Sequence, residues 1–161
     1  MESIITVATV VTMYMNAVTS TDANYMYNGE MEDGVVNKIE VYERNDNQQM
    51  EQKMEYCYHY DEQGRLSDKE MLSWDEAKKS WTKSSRLTYK YYKNGYNVEL
   101  SHWNKEKQAY DLPSEVTLYR SQAPNPTTVK TYKMNEKQDN MYLTSSMVVM
   151  EPIENSLLAI R

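Results

Sequence analysis

Two histidines, one cysteine and the adjacent acids Asp61–Glu62 and Asp75–Glu76 are the residues of this chain whose types and places suit chemistry. His59 and His102 change charge near neutral pH and so suit general base catalysis or metal ligation. They stand 43 residues apart, each inside an alternating run. His102 shares its face with Tyr96, Val98 and Leu100, which reads as a hydrogen-bonded histidine beside a core. Cys57 is a nucleophile only if a histidine approaches it, and His59, two residues along an extended strand, is too far for that hydrogen bond. A small inert side chain is the expectation. Asp61 with Glu62 and Asp75 with Glu76 would serve a glycosidase if they flanked a cleft, but adjacent acids in turns ordinarily face water. The chain has no glycine-rich phosphate loop, no G-x-S-x-G elbow and no H-E-x-x-H. No catalytic residue, metal ligand or cofactor site is assigned.

The aromatic residues around two polar loops reach further toward function. "WDEAKKSW" is bracketed by Trp74 and Trp81, and "WNKEKQAY" by Trp103 and Tyr110. Flat rings at a sheet margin can stack on sugars or dock a partner, which makes Trp74, Trp81, Trp103 and Tyr110 the candidate ligand-binding residues. The competing reading is a clasp in each copy, a cross-strand aromatic pair contributing about 0.5 to 1 kcal/mol. The constant separation of the pair in both copies favours the clasp.

The elements that would position these residues are strands. Period-two alternation, which sends neighbouring side chains to opposite faces, runs through "NKIEVYER", "QKMEYCYHYD", "RLSDKEMLSW", "SSRLTYKYY", "GYNVELSHW", "SEVTLYR", "TVKTYKM" and "NMYLTSSMVVM". Met54, Tyr56, Tyr58 and Tyr60 fall on one face, and Lys53, Glu55, Cys57 and His59 on the other. "DEQG" at Asp61–Gly64 is a type I turn closed by a glycine bulge, and "KNGY" carries the Asn94-Gly95 hairpin signal. A repeat emerges: Tyr58, Tyr60 and Gly64 recur 31 residues on as Tyr89, Tyr91 and Gly95, and Trp74 and Trp81 recur 29 residues on as Trp103 and Tyr110. Tyr25 and Tyr27 begin a fainter earlier copy, with Tyr42 near the place of Trp74. Units this small must stack into one continuous sheet to bury a face. "APNPTT" reads as an irregular connection, and the tail "EPIENSLLAIR" as a short strand or a turn of helix.

At 161 residues the chain is one domain's worth, with 15 Tyr and 12 Met but no Phe, a composition suited to half-buried sheets. The net charge is −6, and five acids precede the first basic residue, Lys38. Beyond them 19 acids face 18 basic residues, and no basic block offers the footprint that phosphate backbones require. Nucleic acid is therefore not an expected partner. A lone cysteine excludes an internal disulfide and a cysteine-cluster metal site. At the amino end, Ile4–Val11 is an apolar, β-branched run followed by small residues around Ala17–Ser20. That is too short for a transmembrane span but right for a secretory signal peptide. Glu2, where a basic residue is usual, keeps a first strand over Ile4–Thr12 as the alternative. No cysteine follows the run, so a lipoprotein is not expected.

"YHYDEQGRL", through Tyr58, Tyr60, Asp61, Gly64, Arg65 and Leu66, resembles the tyrosine-aspartate hairpin repeat of Rhs-type and teneurin-like proteins. Two or three units are too few for the shell those proteins form. Taken together, the signal-like start, this hairpin and the loops "LSWDEAKKSW" and "SHWNKEKQAYDL" resemble a family of small exported proteins of unknown function from Bacteroides-type gut anaerobes. The resemblance implies an all-β exported protein and supplies no activity.

The expected architecture is an all-β domain over residues 21–161, an antiparallel meander of eight to ten strands forming a curled sheet or an open barrel or sandwich. Its hairpin repeats lie near 54–81 and 85–110, and residues 1–20 form a signal peptide or first strand. The expected function is non-enzymatic, with a structural or binding role at the cell envelope. A carbohydrate-binding module is second and a hydrolase third. The partners this implies are a glycan, another envelope protein, or a second copy joined through sheet edges.

Overall fold

The computed structural model describes residues 4–19, 24–121 and 127–150. The readings made for Ala123–Pro126 and for the tail from Glu151 lie outside the described residues. Ten strands form one antiparallel sheet: β1 (Tyr25–Glu32), β2 (Val35–Arg44), β3 (Met50–Tyr60), β4 (Leu66–Asp75), β5 (Ser80–Tyr92), β6 (Gly95–Asn104), β7 (Ala109–Tyr110), β8 (Glu115–Ser121), β9 (Thr127–Met134) and β10 (Met141–Val149). The order follows the chain, with β7 and β8 both paired to β6, and β1 and β10 are the two edges. The meander is thus an open sheet that closes into neither barrel nor sandwich.

Its regularity comes from a unit of about thirty residues. Tyr27, Tyr58 and Tyr89, at intervals of 31, all pack against the core, and Tyr119, 30 residues further, stacks on Tyr96 with centroids 4.5 Å apart. Asn45, Asp75, Asn104 and Asn135 open the four loops at one end of the sheet, and each turns its side-chain oxygen back onto loop amides. Each loop then uses one residue in the left-handed region, Gln48, Lys79, Gln108 and Gln138 respectively. A short side-chain acceptor that closes a turn on its own backbone explains Asx at all four places. The β8–β9 hairpin is therefore a further copy that alternation alone does not single out.

Tight turns hold the opposite end. Gly64 adopts φ +69° and donates to the Asp61 carbonyl, while Asp61 Oδ1 accepts from the amides of Gln63 and Arg65, the expected turn with its glycine bulge. Gly95 differs from its reading: it is the first residue of β6, at φ +139° against the Tyr119 backbone.

The amino-terminal run is not a strand. Val7–Val18 form helix α1, and only Thr6 bridges in strand fashion, to Arg65. Thr6 and Thr9 make a reciprocal capping box, which satisfies amides at the helix start. Spacing at i, i+1 and i+4 then turns Val10, Val11 and Tyr14 onto the sheet, and this packing outweighs the strand preference of the β-branched residues. Val10, Val36, Ile39, Val41 and Leu66 form the buried core. The Tyr14 ring lies over Gly29, the only residue type that leaves room for it, and the Tyr14 hydroxyl accepts from the Gly29 amide at 3.0 Å.

Tyrosines supply the margin of this core. Tyr60 donates to the Val36 carbonyl at 2.8 Å, and Tyr91 donates to the carbonyls of Leu66 and Ile5. Burial pushes the phenols of Tyr60, Tyr89, Tyr91 and Tyr96 up to about 12.

Lys69 sits among them, with Nζ 3.8 Å from the Tyr56 ring centre and 5.6 Å from that of Tyr58. Desolvation lowers its pKa. The unfolded chain holds this proton more tightly, so the burden on stability is full at neutral pH and is relieved as pH rises through the folded pKa toward the ordinary lysine range. Lys69→Met is expected to stabilise the fold by about 1 kcal/mol at pH 7. The gain should shrink above about pH 10. Urea melts at the two pH values check this, and a variant no more stable than the parent at pH 7 would give the cation–π contact the larger share.

Candidate functional site

Strand register decides which side chains meet. Lys38, Cys57, Glu70, Arg86 and Ser101 are successive partners across β2 to β6, so they form one row on the face opposite α1. Trp74 lies four residues beyond Glu70 on β4, and Trp103 two beyond Ser101 on β6. Their partners are Trp81 and Tyr110. All four candidate aromatics therefore share the open face, on neighbouring strands at the end that carries the Asx loops.

Each pair is a clasp across its own loop. Trp74 and Trp81 are T-shaped at 5.1 Å and 70°, and Trp103 and Tyr110 at 5.0 Å and 74°. Trp74 Nε1 also donates to Glu76 Oε2 at 2.6 Å, and Lys79 pairs with Glu76. Against the Trp103–Tyr110 clasp packs a charged network. Lys83 Nζ lies 3.3 Å from Glu70 Oε1, 5.1 Å from the Trp103 ring centre and 5.7 Å from that of Tyr110. The Tyr110 hydroxyl donates to Glu70 Oε1 at 3.1 Å, and the Arg86 guanidinium lies 4.3 Å over the Tyr110 ring. Asp68 accepts from Thr88 at 2.8 Å and sits 3.8 Å from Arg86 Nε. Burial works against the Glu70 carboxylate, but hydrogen bonds from Lys83 and Tyr110 prevail and hold its pKa below the usual value. The strip thus offers flat rings with fixed donors and acceptors between them.

The nucleophile and base candidates are placed otherwise. Cys57 lies mid-row, its Sγ 3.7 Å from Glu55 Oε1. Burial first, then the charges of Glu55 and Glu70, push its thiol up to about 11, so the thiolate is scarce at neutral pH. His59 is exposed on the same face, 3.8 Å from Glu70 Oε2. His102 is on the helix face as its parity indicates, but exposed rather than set into a core; it rims a shallow depression with Asp111, Leu112 and Asn135. The histidines thus point to opposite sides of the sheet. Asp61 and Asp75 accept hydrogen bonds from turn amides, Glu62 faces water, and Glu76, exposed, is engaged by Trp74 and Lys79. Among the described residues no group of three or more His, Cys, Asp or Glu is placed to hold a metal ion, and no helix is long and apolar enough to cross a membrane.

Glu70, Lys83 and Arg86 were not legible as a group. Alternation places each on a face, but only the register β3-β4-β5, including the bulge that skips Ser84, sets Glu70 against both cations. Acids at alternate positions of one run, Asp68 and Glu70, followed by Lys83 and Arg86 in the next were the available sign.

A single open antiparallel sheet of hairpin repeats, one face partly covered by a helix and the other an aromatic and ionic surface, defines the structural class. The chain belongs to the family of unknown function DUF3836, whose model matches residues 1–121. Among solved structures it is similar to a protein of unknown function from Bacteroides fragilis, at 29% identity and a TM-score of 0.68, with 80% of this chain and 92% of that one covered. It is also similar to a DUF3836 family protein from Bacteroides vulgatus, at 25% identity and a TM-score of 0.55, with 59% of this chain and 97% of that one covered. No curated protein matches the chain.

Proposed function

We propose that this chain is a non-enzymatic exported protein with a structural or binding role at the cell envelope, and that it binds through the strip of Trp74, Trp81, Trp103 and Tyr110. The observation that carries this reading is the alignment of both clasps on one face, with Lys83, Glu70 and Arg86 packed against the Trp103–Tyr110 clasp. Rings that anchor and polar groups that orient are the parts of a recognition surface. A protonated Cys57 and histidines on opposite faces support a role without nucleophile–base chemistry. Support for export comes from α1, which keeps Met13, Met15 and Val18 exposed while Val10 faces the core, so the helix is apolar on both sides as a signal segment is. Amino-terminal sequencing of protein from the native host tests it, and an intact Met1 or Glu2 would sink export.

A carbohydrate-binding module is the second reading, favoured by the depression at the sheet end beside Trp103, which Lys83, Ser84 and Lys105 also line and to which Ser73, Thr82 and His102 contribute from the helix face. Soluble glycans should then shift tryptophan fluorescence, and Trp81→Ala and Trp103→Ala should each weaken binding at least tenfold, about 1.4 kcal/mol. No spectral change across a broad panel removes the sugar and leaves an envelope protein as the partner.

A further inference from the structure

We propose that β10 is a dimerisation edge, pairing antiparallel with the β10 of a second copy of this chain. The two edges of the sheet are built differently. β1 carries Glu30 and Glu32, has a bulge between Glu30 and Met31, and gives its Gly29 amide to the Tyr14 hydroxyl of α1. Charge, bulge and cover are the devices that keep an edge strand from pairing. Met141–Val149 contains no charged residue and no proline, and no described element lies beyond it. Its apolar side chains are about half exposed, Tyr142 at 53% and Val148 at 56%. Its one irregularity, the bulge beside Thr144, is directed at β9, where the Thr144 hydroxyl donates to the Thr131 carbonyl.

The order of residue types in β10 selects the partner. Met141, Tyr142 and Leu143 are apolar, Thr144, Ser145 and Ser146 carry hydroxyls, and Met147, Val148 and Val149 are apolar again. Reversed, the strand has the same pattern. An antiparallel copy therefore sets apolar ends on apolar ends and hydroxyls on hydroxyls about a two-fold near Ser145, with no charge opposing a charge. Such an isologous contact closes on itself and leaves the guarded β1 edges outermost.

Sedimentation equilibrium at tens of micromolar is expected to give about twice 19.0 kDa. Ser145→Lys sets two ammonium groups against each other across the two-fold and should yield the monomer with unchanged circular dichroism. Hydrogen exchange on the unaltered chain gives an independent reading: the alternate amides of Tyr142–Val148 that point away from β9 should gain on the order of tenfold protection as concentration rises through the dimer transition. Protection independent of concentration, which a cover from the same chain would produce, overturns the proposal. So does a parent chain that stays monomeric, or a dimer that survives both Ser145→Lys and Val148→Lys.

Discussion

Gly95→Ala should lose about 4 kcal/mol or more of stability, the range reserved for changes the backbone cannot absorb. An alanine Cβ there would stand 1.9 Å from the Tyr119 carbonyl oxygen and 2.9 Å from its carbon, both main-chain atoms of β8. The residue also holds φ +139°, which a side chain rarely tolerates. Relief would require β8 to move away from β6, breaking the pairing of Gly95 with Arg120 and Tyr96 with Tyr119 and separating the stacked rings. Gly64→Ala is the control. Gly64 has φ +69° but nothing within 4 Å of the added carbon, so only conformational strain is at stake, about 1 to 2 kcal/mol. Urea denaturation of both variants separates crowding from strain, and equal losses would refute the contact between β6 and β8.

The second large effect is expected at Leu66→Ala, at about 2 to 5 kcal/mol. Leu66 is 2% exposed and stands where helix, sheet and tyrosine margin meet. Its amide donates to the Ile5 carbonyl, and its own carbonyl accepts from Tyr91. Removing the side chain leaves a hole bordered by Val10 and Val36, with few other buried apolar groups to collapse into it. The loss should appear as a lower urea midpoint together with faster proteolysis within α1. A change below about 1 kcal/mol would mean that the helix does not seal this core.

Much of this architecture is legible in the residues. Alternation in "QKMEYCYHYD" gives the correct faces because Tyr56 and Tyr58 must reach a core while Lys53 and His59 need water. The clasps follow from aromatic pairs at constant spacing. The last copy is harder to see because Asx does the same work as Asp75 or as Asn104 and Asn135, so the repeat is chemical before it is literal. The helix is hidden for another reason: Val7, Val10 and Val11 favour a strand locally, and only docking onto Val36 and Ile39 decides otherwise. The charged part of the strip depends on which strand lies beside which and on a one-residue bulge, information that resides in pairing and not in any single run.

Helix α1 has a consequence in time. The segment that looks like an export signal is also tied to the body of the fold by the Val7 amide to the Gly64 carbonyl, the Leu66 amide to the Ile5 carbonyl and the burial of Val10. If α1 is the export signal proposed above, a peptidase and the folding chain compete for the same stretch. Cleavage before docking would release a body with Val36, Ile39, Val41 and Leu66 uncovered, ready for another apolar surface. Docking first would keep the helix in place and withdraw the substrate. The sequence of those two events would then select between two mature proteins with different surfaces.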